Sequence, residues 1–530
     1  MKANYLFPML IVLLMFSSCS DDNKDGPLGQ TSKEDAKMKL SLTLPPLASP
    51  AASSAPGTRA PIEGTDAENK ISQVHIFVFD QAGQLPDDQS KGRFGPLDLN
   101  DTDQFTVSGN TYTMVEELKT TSGLKTIYVI ANMGENEISL YADETQLLER
   151  IENVHKSGTG TGGLIEYTDA TPPALNAIVF AGSETADLKS VSSGTPNSPV
   201  GVNIERTVSR VITTSPASFA VRWGSTTTDD MTVTISKYFI AQDAYKSTVG
   251  QNYFDAPNDD RKKTLISGAD QNDWGDIINL YDPDDYIGTG AADLDEKYVD
   301  IVPNPATEAA RVALPGFYIG ENATNTPDKV AQHGNTTYAW IQTQIALTNT
   351  AVVNAAGDAI EYTGPALTAG TVFHLIRVRG VRDYITTAAN ATAVYNYLNA
   401  AERYEGSVSN FPYPGGNLYY RVFLNQTGTT ASPITADDKY NVYRNMFVHL
   451  DVTAVNVNPN DPGGFGGGYP GDPNDPNVPI DPFTPNEDPD NPVNPNPHSP
   501  EEPIDEDEAT LQVNITVEPW TYSPNGVVLQ

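Results

Sequence analysis

A chain of 530 residues has room for two or three domains, and its single cysteine excludes an intrachain disulfide and a cysteine-based zinc site. The formal charge of −36 would repel a phosphate backbone and argues against nucleic acid as a partner. Hydrophobic residues make up 38%, low for a compact enzyme, while 41 Gly, 40 Pro and 25 Tyr, with many Thr, Val and Asn, point to an all-β protein with long loops.

At the N-terminus, Lys2 and the apolar run from Leu6 to Phe16 have the form of a signal peptide over residues 1–18. The run is too short to cross a bilayer as a stable helix. Ser17-Ser18-Cys19 resembles a bacterial lipobox, which implies a diacylglyceryl group on the Cys19 thiol and Cys19 as the first residue after cleavage. With Cys19 so assigned, no thiol is left for catalysis. Ser20-Asp21-Asp22 resembles the signal that sends Bacteroidetes lipoproteins to the outer face of the outer membrane. Beyond residue 16 no apolar run reaches transmembrane length, so the expected membrane link is the lipid of the precursor.

Residues 19–59 read as a lipidated propeptide. Residues 20–36 are a polar tether; then Met38, Leu40, Leu42 and Leu44 alternate with Lys39, Ser41 and Thr43, which puts four apolar side chains on one face of a strand that Pro45-Pro46 ends. Ala48–Thr58 is small and flexible, the kind of segment proteases reach. Nineteen residues without a basic side chain separate Lys39 from Arg59, so a trypsin-like protease meets one obvious exposed bond, Arg59–Ala60.

Residues 60–210 are expected to form a first β-sandwich domain. Ile71–Asp80 is apolar on both faces and is placed centrally, with Lys125–Asn132 and Asn176–Ala181 as further central strands. Leu147, Leu148 and Ile151 suggest a helix over Glu144–His155. Residues 211–455 are expected to form a second sandwich, with strands at Met231–Ile240, Thr337–Leu347, Val372–Val378, Leu418–Leu424 and Phe447–Val455, and a helix within Asp383–Leu398. Residues 456–507 hold 14 prolines and 12 acidic residues with no Lys or Arg, a flexible linker that cannot build a core. Residues 508–530 then return to alternation: Leu511, Val513, Ile515 and Val517 share one face, Gln512, Asn514, Thr516 and Glu518 the other, and Pro519-Trp520 follows.

An alternating strand thus stands at each end of the chain, and a lone amphipathic strand is not stable in water. A leader strand filling a groove in its own domain would leave an open sheet edge when cut away at Arg59, and a tethered strand from another molecule could fill it by β-strand addition. Four buried aliphatic side chains at about 1.5–3 kcal/mol each give roughly 6–12 kcal/mol before ordering costs. Head-to-tail contacts of this kind are heterologous and, where they do not close a ring, make open filaments.

The same residues resemble the Mfa-type fimbrilins of Bacteroidales, the shaft subunits of type V pili, related to the FimA fimbrilins. The matching stretches are the leader at Cys19, Gly57–Ala60, Ile204–Arg210, His333–Tyr338, Leu418–Asn425, Tyr443–Asn445 with Val448–Leu450, the Asp/Asn/Pro linker and Val517–Trp520. The resemblance implies two transthyretin-like β-sandwich domains, arginine-specific proteolysis outside the cell at Arg59–Ala60, and assembly through a C-terminal donor strand within residues 509–530. The implied partners are other copies of the chain in a head-to-tail filament, accessory tip and anchor pilins, and the protease. Residues 85–200 and 245–330 are largely unmatched.

Other motifs carry less. Gly158, Gly160 and Gly163 satisfy a G-x-G-x-x-G spacing without the strand and helix a dinucleotide site requires. Asp21, Asn23 and Asp25 begin like a calcium loop, but Ser32 stands where a bidentate glutamate belongs. Asp282, Asp284 and Asp285 read as a solvated turn, Arg377 and Arg379 as surface ion-pair partners, and no pair of histidines has metal-ligand spacing. No cofactor, metal or catalytic constellation is expected. The alternative functions are a tip or anchor pilus subunit, or a surface glycan-binding lipoprotein of a nutrient-uptake system, with Trp223, Trp274 or Trp340 stacking sugars.

Overall fold

The computed structural model describes residues 34–44, 62–133, 141–148, 151–153, 163–167, 175–224, 227–241, 246–249, 298–322, 336–400, 404, 407–424, 440, 442–455, 457 and 511–521. Among these the chain is all-β in character. Strands β1 to β30 follow chain order and are interrupted by four short α-helices, α1 (Asp66–Asn69), α2 (Glu144–Leu148), α3 (Glu308–Val312) and α4 (Ala388–Ala400).

One antiparallel sheet has the order β15 (Glu205–Arg206), β13 (Phe180–Leu188), β9 (Gly123–Ala131), β4 (Gln73–Asp80), β5 (Arg93–Asp98). Val74, Ile76 and Val78 on one face of β4, and His75, Phe77 and Phe79 on the other, are all buried, as a strand flanked on both edges and packed on both faces requires. A second sheet has the order β14 (Val200–Asn203), β2 (Leu40–Thr43), β7 (Thr111–Met114), β6 (Phe105–Ser108). The two sheets share one core, to which Val312 and Phe447 also contribute.

A third sheet runs β21 (Phe317–Ile319), β16 (Ser209–Thr214), β29 (Met446–Val455), β30 (Leu511–Thr521), β3 (Ile62–Glu63). It shares a second core with the sheet β17 (Ser218–Val221), β18 (Met231–Ala241), β22 (Tyr338–Leu347), β28 (Asn417–Phe423), to which β20 (Val299–Asp300) adds along β18. A three-stranded sheet, β26 (Arg382–Thr387), β25 (Phe373–Val378), β27 (Val408–Tyr413), packs Ile376 and Val378 against Val394 and Leu398 of α4. Four ribbons complete the set: β1 (Asp35–Met38) with β8 (Leu118–Thr121), β10 (Ile151–Asn153) with β19 (Lys246–Thr248), β11 (Ile165–Tyr167) with β12 (Leu175–Ile178), and β23 (Val352–Val353) with β24 (Ile360–Glu361).

Several local expectations change. The helix anticipated over Glu144–His155 ends at Leu148, and Ile151–Asn153 is a strand that pairs with Lys246–Thr248. The helix expected within Asp383–Leu398 occupies Ala388–Ala400, and Tyr384-Ile385-Thr386-Thr387 before it is β-favouring and ladders against β25. The strand at Asn176–Ala181 is two strands meeting at Val179: β12 pairs with β11, and β13 joins the main sheet. Arg377 does not make a surface ion pair. It grips the fully buried Asp383 through two hydrogen bonds of 3.0 and 3.1 Å and lies over the Phe411 ring.

Where the first two sheets meet, β13 comes against β14. A β-carbon on Gly182 would lie 1.9 Å from the Asn203 carbonyl oxygen, so only glycine permits this approach. Gly182→Ala is expected to destabilise the chain by about 1–3 kcal/mol, read as a lowered urea midpoint; an unchanged midpoint would contradict the close packing.

Candidate functional site

The leader strand sits in the middle of a sheet. β2 runs parallel to β14, with Leu40 to Thr43 opposite Val200 to Asn203, and antiparallel to β7, with Ser41, Leu42 and Thr43 opposite Thr113, Tyr112 and Thr111. Backbone bonds extend the ladder at both ends: Val200 N–H donates to the Lys39 carbonyl at 2.9 Å, and Leu44 N–H to the Asn110 carbonyl at 3.1 Å. Met38, Leu40, Leu42 and Leu44 are each 0% exposed. They enter the same core as Tyr112 and Met114 of β7 and Val200 and Val202 of β14. The alternation seen in the sequence is therefore that of an interior strand, and β7 and β14 are the walls of its groove.

The outer face of β2 is polar. Ser41 Oγ lies 3.3 Å from Thr113 Oγ1, Thr43 Oγ1 lies 3.4 Å from Thr111 Oγ1, and Lys39 Nζ donates to the Val115 carbonyl at 2.6 Å. Just upstream, Lys91 pairs with Asp35 at 2.6 Å and Lys37 with Glu117 at 3.2 Å. The hydrogen bond from Lys91 to Asp35 raises the lysine above its ordinary value, and hydrogen bonds from Ser192 and Ser190 hold the Glu34 carboxyl below its own. These exposed pairs add little to affinity, so the core-facing row and the two backbone ladders hold the strand.

The other predicted strand is docked as well. β30 lies antiparallel to β29, with Val517, Ile515 and Val513 opposite Val448, Leu450 and Val452, and Leu511 opposite Val455. Among the described residues its far edge carries only β3, where Ile62 pairs with Trp520 and Glu63 with Thr521. Sequence alone left open whether this segment is free; its backbone closes a sheet of its own chain.

Between the two strands lies a buried polar junction that sequence reasoning missed. Thr65 and Glu68 form a capping box on α1, with Thr65 N–H donating to Glu68 Oε2 at 2.6 Å. The other oxygen of Glu68, Oε1, forms an ion pair with Arg210 Nη1 at 2.6 Å and accepts from the Tyr318 hydroxyl at 2.6 Å. Arg206 donates to the Glu68 carbonyl at 3.2 Å, to Asn445 Oδ1 at 3.3 Å and to Asn69 Oδ1. Arg210 also reaches the Leu314 carbonyl and lies over the Tyr318 and Phe447 rings. The first residues after the expected cleavage point are thus anchored to permanent parts of the fold. The signal that could have found this is the stretch Ile204–Arg210, which carries two arginines four residues apart, Arg206 and Arg210.

Cys19, Arg59, Ala60, Trp274, the Asp21–Asp25 loop, Asp282–Asp285, Gly158 and Gly160 lie outside the described residues. Trp223 and Trp340 are buried, and Trp340 stands edge-on between Tyr338 and Tyr419, so neither offers a face to a sugar.

Two family models match. The major fimbrial subunit protein (FimA) model covers residues 38–196, and the C-terminal model of the fimbrillin major fimbrial subunit type IV covers residues 412–525. The chain belongs to the FimA/Mfa-like fimbrilin family. This fimbrilin is therefore a fimbrial subunit of the cell surface with an all-β fold. Among solved structures it is similar to a candidate cell adhesion protein of Parabacteroides distasonis (12% identity, 92% of this chain and 100% of that one, TM-score 0.43). It is also similar to the fimbrilin FimA of Porphyromonas gingivalis (12% identity, 92% and 99%, TM-score 0.34) and to the tip fimbrial protein Mfa3 of Porphyromonas gingivalis (11% identity, 79% and 95%, TM-score 0.32). No curated protein matches the chain. The first family model begins at Met38, so the fimbrilin's leader strand belongs to the matched region.

Leu42→Ala removes a fully buried side chain from the leader alone. It should lower the stability of the uncut fimbrilin by about 2–5 kcal/mol and leave the protein without its leader unchanged. Equal losses in both forms on thermal melting would show that Leu42 acts outside the groove.

Proposed function

We propose that the chain is a shaft subunit of a type V pilus, exported as a lipoprotein precursor carrying lipid on Cys19. An arginine-specific, trypsin-like protease outside the cell cuts the Arg59–Ala60 bond, and the lipid leaves with residues 19–59. Subunits then polymerise by donor-strand exchange: residues 509–530 of one copy enter the groove vacated in the next. Residues 60–210 act as the receiving domain and residues 211–455 as the body that carries the donor. The filament supports adhesion, with accessory tip and anchor pilins at its ends.

The observation that carries this reading is the position of β2. A strand that precedes the expected cleavage bond supplies the centre of a sheet, and Met38, Leu40, Leu42 and Leu44 are fully buried. Among the described residues, its loss would leave β14 with no sheet neighbour and β7 with β6 alone. Unpaired backbone and exposed aliphatic surface of that kind demand a replacement strand. The linker 456–507 can deliver one, since a Pro-rich chain of that length reaches about 160 Å when extended at roughly 3.1 Å per residue.

Trypsin-like digestion of the purified precursor should cut selectively after Arg59, yield a protein that starts at Ala60, and produce ladders of SDS-resistant oligomers. Deleting 509–530 should leave a folded protein that does not polymerise. A cleaved protein that stays monomeric at high concentration, or normal filaments from the truncated one, would defeat the proposal.

A further inference from the structure

The two terminal strands are written in one pattern. With residues 511–520 laid over residues 38–47, Leu511, Val513, Ile515 and Val517 fall on Met38, Leu40, Leu42 and Leu44. Gln512, Asn514 and Thr516 fall on Lys39, Ser41 and Thr43, Pro519 falls on Pro46, and Trp520 falls on Leu47. The aliphatic row would fit equally well in the reverse direction, but the proline would not. Reversed, Pro519 falls on Ala36, a residue paired with Thr120 inside the β1–β8 ladder. A proline there has no N–H to give. In the forward direction it falls on Pro46, where the leader itself carries a proline.

We infer that residues 511–518 of a second copy take the leader's place in the leader's own direction and register, parallel to β14 and antiparallel to β7. Thr516 then stands opposite Thr111, Asn514 opposite Thr113, and Val517 replaces Leu44. This rests on the donor-strand reading above and adds to it the direction, the register and the residues of the groove that read the strand.

The polar face supports the same alignment. Thr516 restores the hydroxyl that Thr43 presents to Thr111, and the Asn514 amide meets Thr113 where Ser41 did. Gln512 places an amide donor where Lys39 reaches the Val115 carbonyl. In its own chain β30 pairs with β29 along nine residues and with β3 at two. The groove offers a shorter ladder on each edge, four residues of β14 and three of β7, about the span of the aliphatic row. Main-chain bonding on two sides supplies affinity, and the alternating side chains supply register.

The test uses Cys19→Ser chains, so that introduced thiols stand alone. One chain carries Thr111→Cys and is mixed with another carrying Thr516→Cys; the mixture is cut after Arg59, oxidised, boiled in SDS and run without reductant. Thr43 and Thr111 hydroxyls already touch, so a thiol in each place is within disulfide reach, and only an intermolecular bond can join the two chains. A disulfide-linked dimer several-fold more abundant than with any other partner is the expected result. Dominant linkage of Thr111→Cys to Gln512→Cys would overturn the direction, and to Asn514→Cys or Glu518→Cys the register. SDS-resistant ladders from the cysteine-free chain without any of these links would place the donor elsewhere and sink the alignment while leaving donor-strand assembly standing. If the cysteine-free chain forms no ladders after cleavage, both fall together.

Discussion

β7 and β14 stand two strand spacings apart, about 10 Å, and neither can move to meet the other. β14 is held against β13 at Gly182, where the backbones approach too closely for a β-carbon. β7 is fixed on its other side by β6. Whatever lies between them must bring backbone donors and acceptors for both edges and apolar side chains for the core below. In the uncut chain that segment is β2, and the integrity of the sheet depends on residues joined to the rest of the fold only through 45–61. If β2 is released as proposed, its enclosed central place is unusual, since detachable strands ordinarily belong at edges, where one ladder is lost instead of two.

The polar junction ties the segment just after the expected cleavage point to distant parts of the fold. Glu68 is buried and receives Arg210 and Tyr318, and Arg206 clamps the end of α1 by its backbone and by Asn69. A buried charge pair has little net worth by itself, but removing one partner strands the other, so such a cluster resists rearrangement. It ties α1, β15, β16, β21 and the turn before β29 into one unit and marks where the permanent fold begins.

Much of this was legible in the sequence where one short segment carries the whole signal. Residues 38–44 and 511–517 announce an apolar row by strict alternation, and Ile71–Asp80 announces a doubly packed strand by being apolar on both sides. The groove walls were not legible, because Thr-Tyr-Thr-Met and Val-Gly-Val-Asn are too brief to show a period and lie far from the leader in the chain. Glu68, Arg206 and Arg210 read individually as solvent-facing charges; only their convergence across distant segments makes them a buried cluster. One helix is shorter than expected for a local reason: Leu147-Leu148 with Ile151 has helical spacing, yet Ile151–Asn153 gains more from a cross-strand partner than from another helical turn.

The enclosed position of β2 also bears on what a single cut can accomplish. Hydrolysis of the Arg59–Ala60 bond would break none of the ladder bonds and uncover none of the four leucine and methionine side chains. It changes the kinetic status of the strand from a tethered element, held at an effective concentration on the order of millimolar, to a bound peptide that dilution can remove. A ligand buried on both edges dissociates slowly, and the groove would rarely stand empty in the meantime. Under the proposed assembly, a successor would gain entry at one end as the old strand frays, residue by residue, and occupancy would pass by displacement.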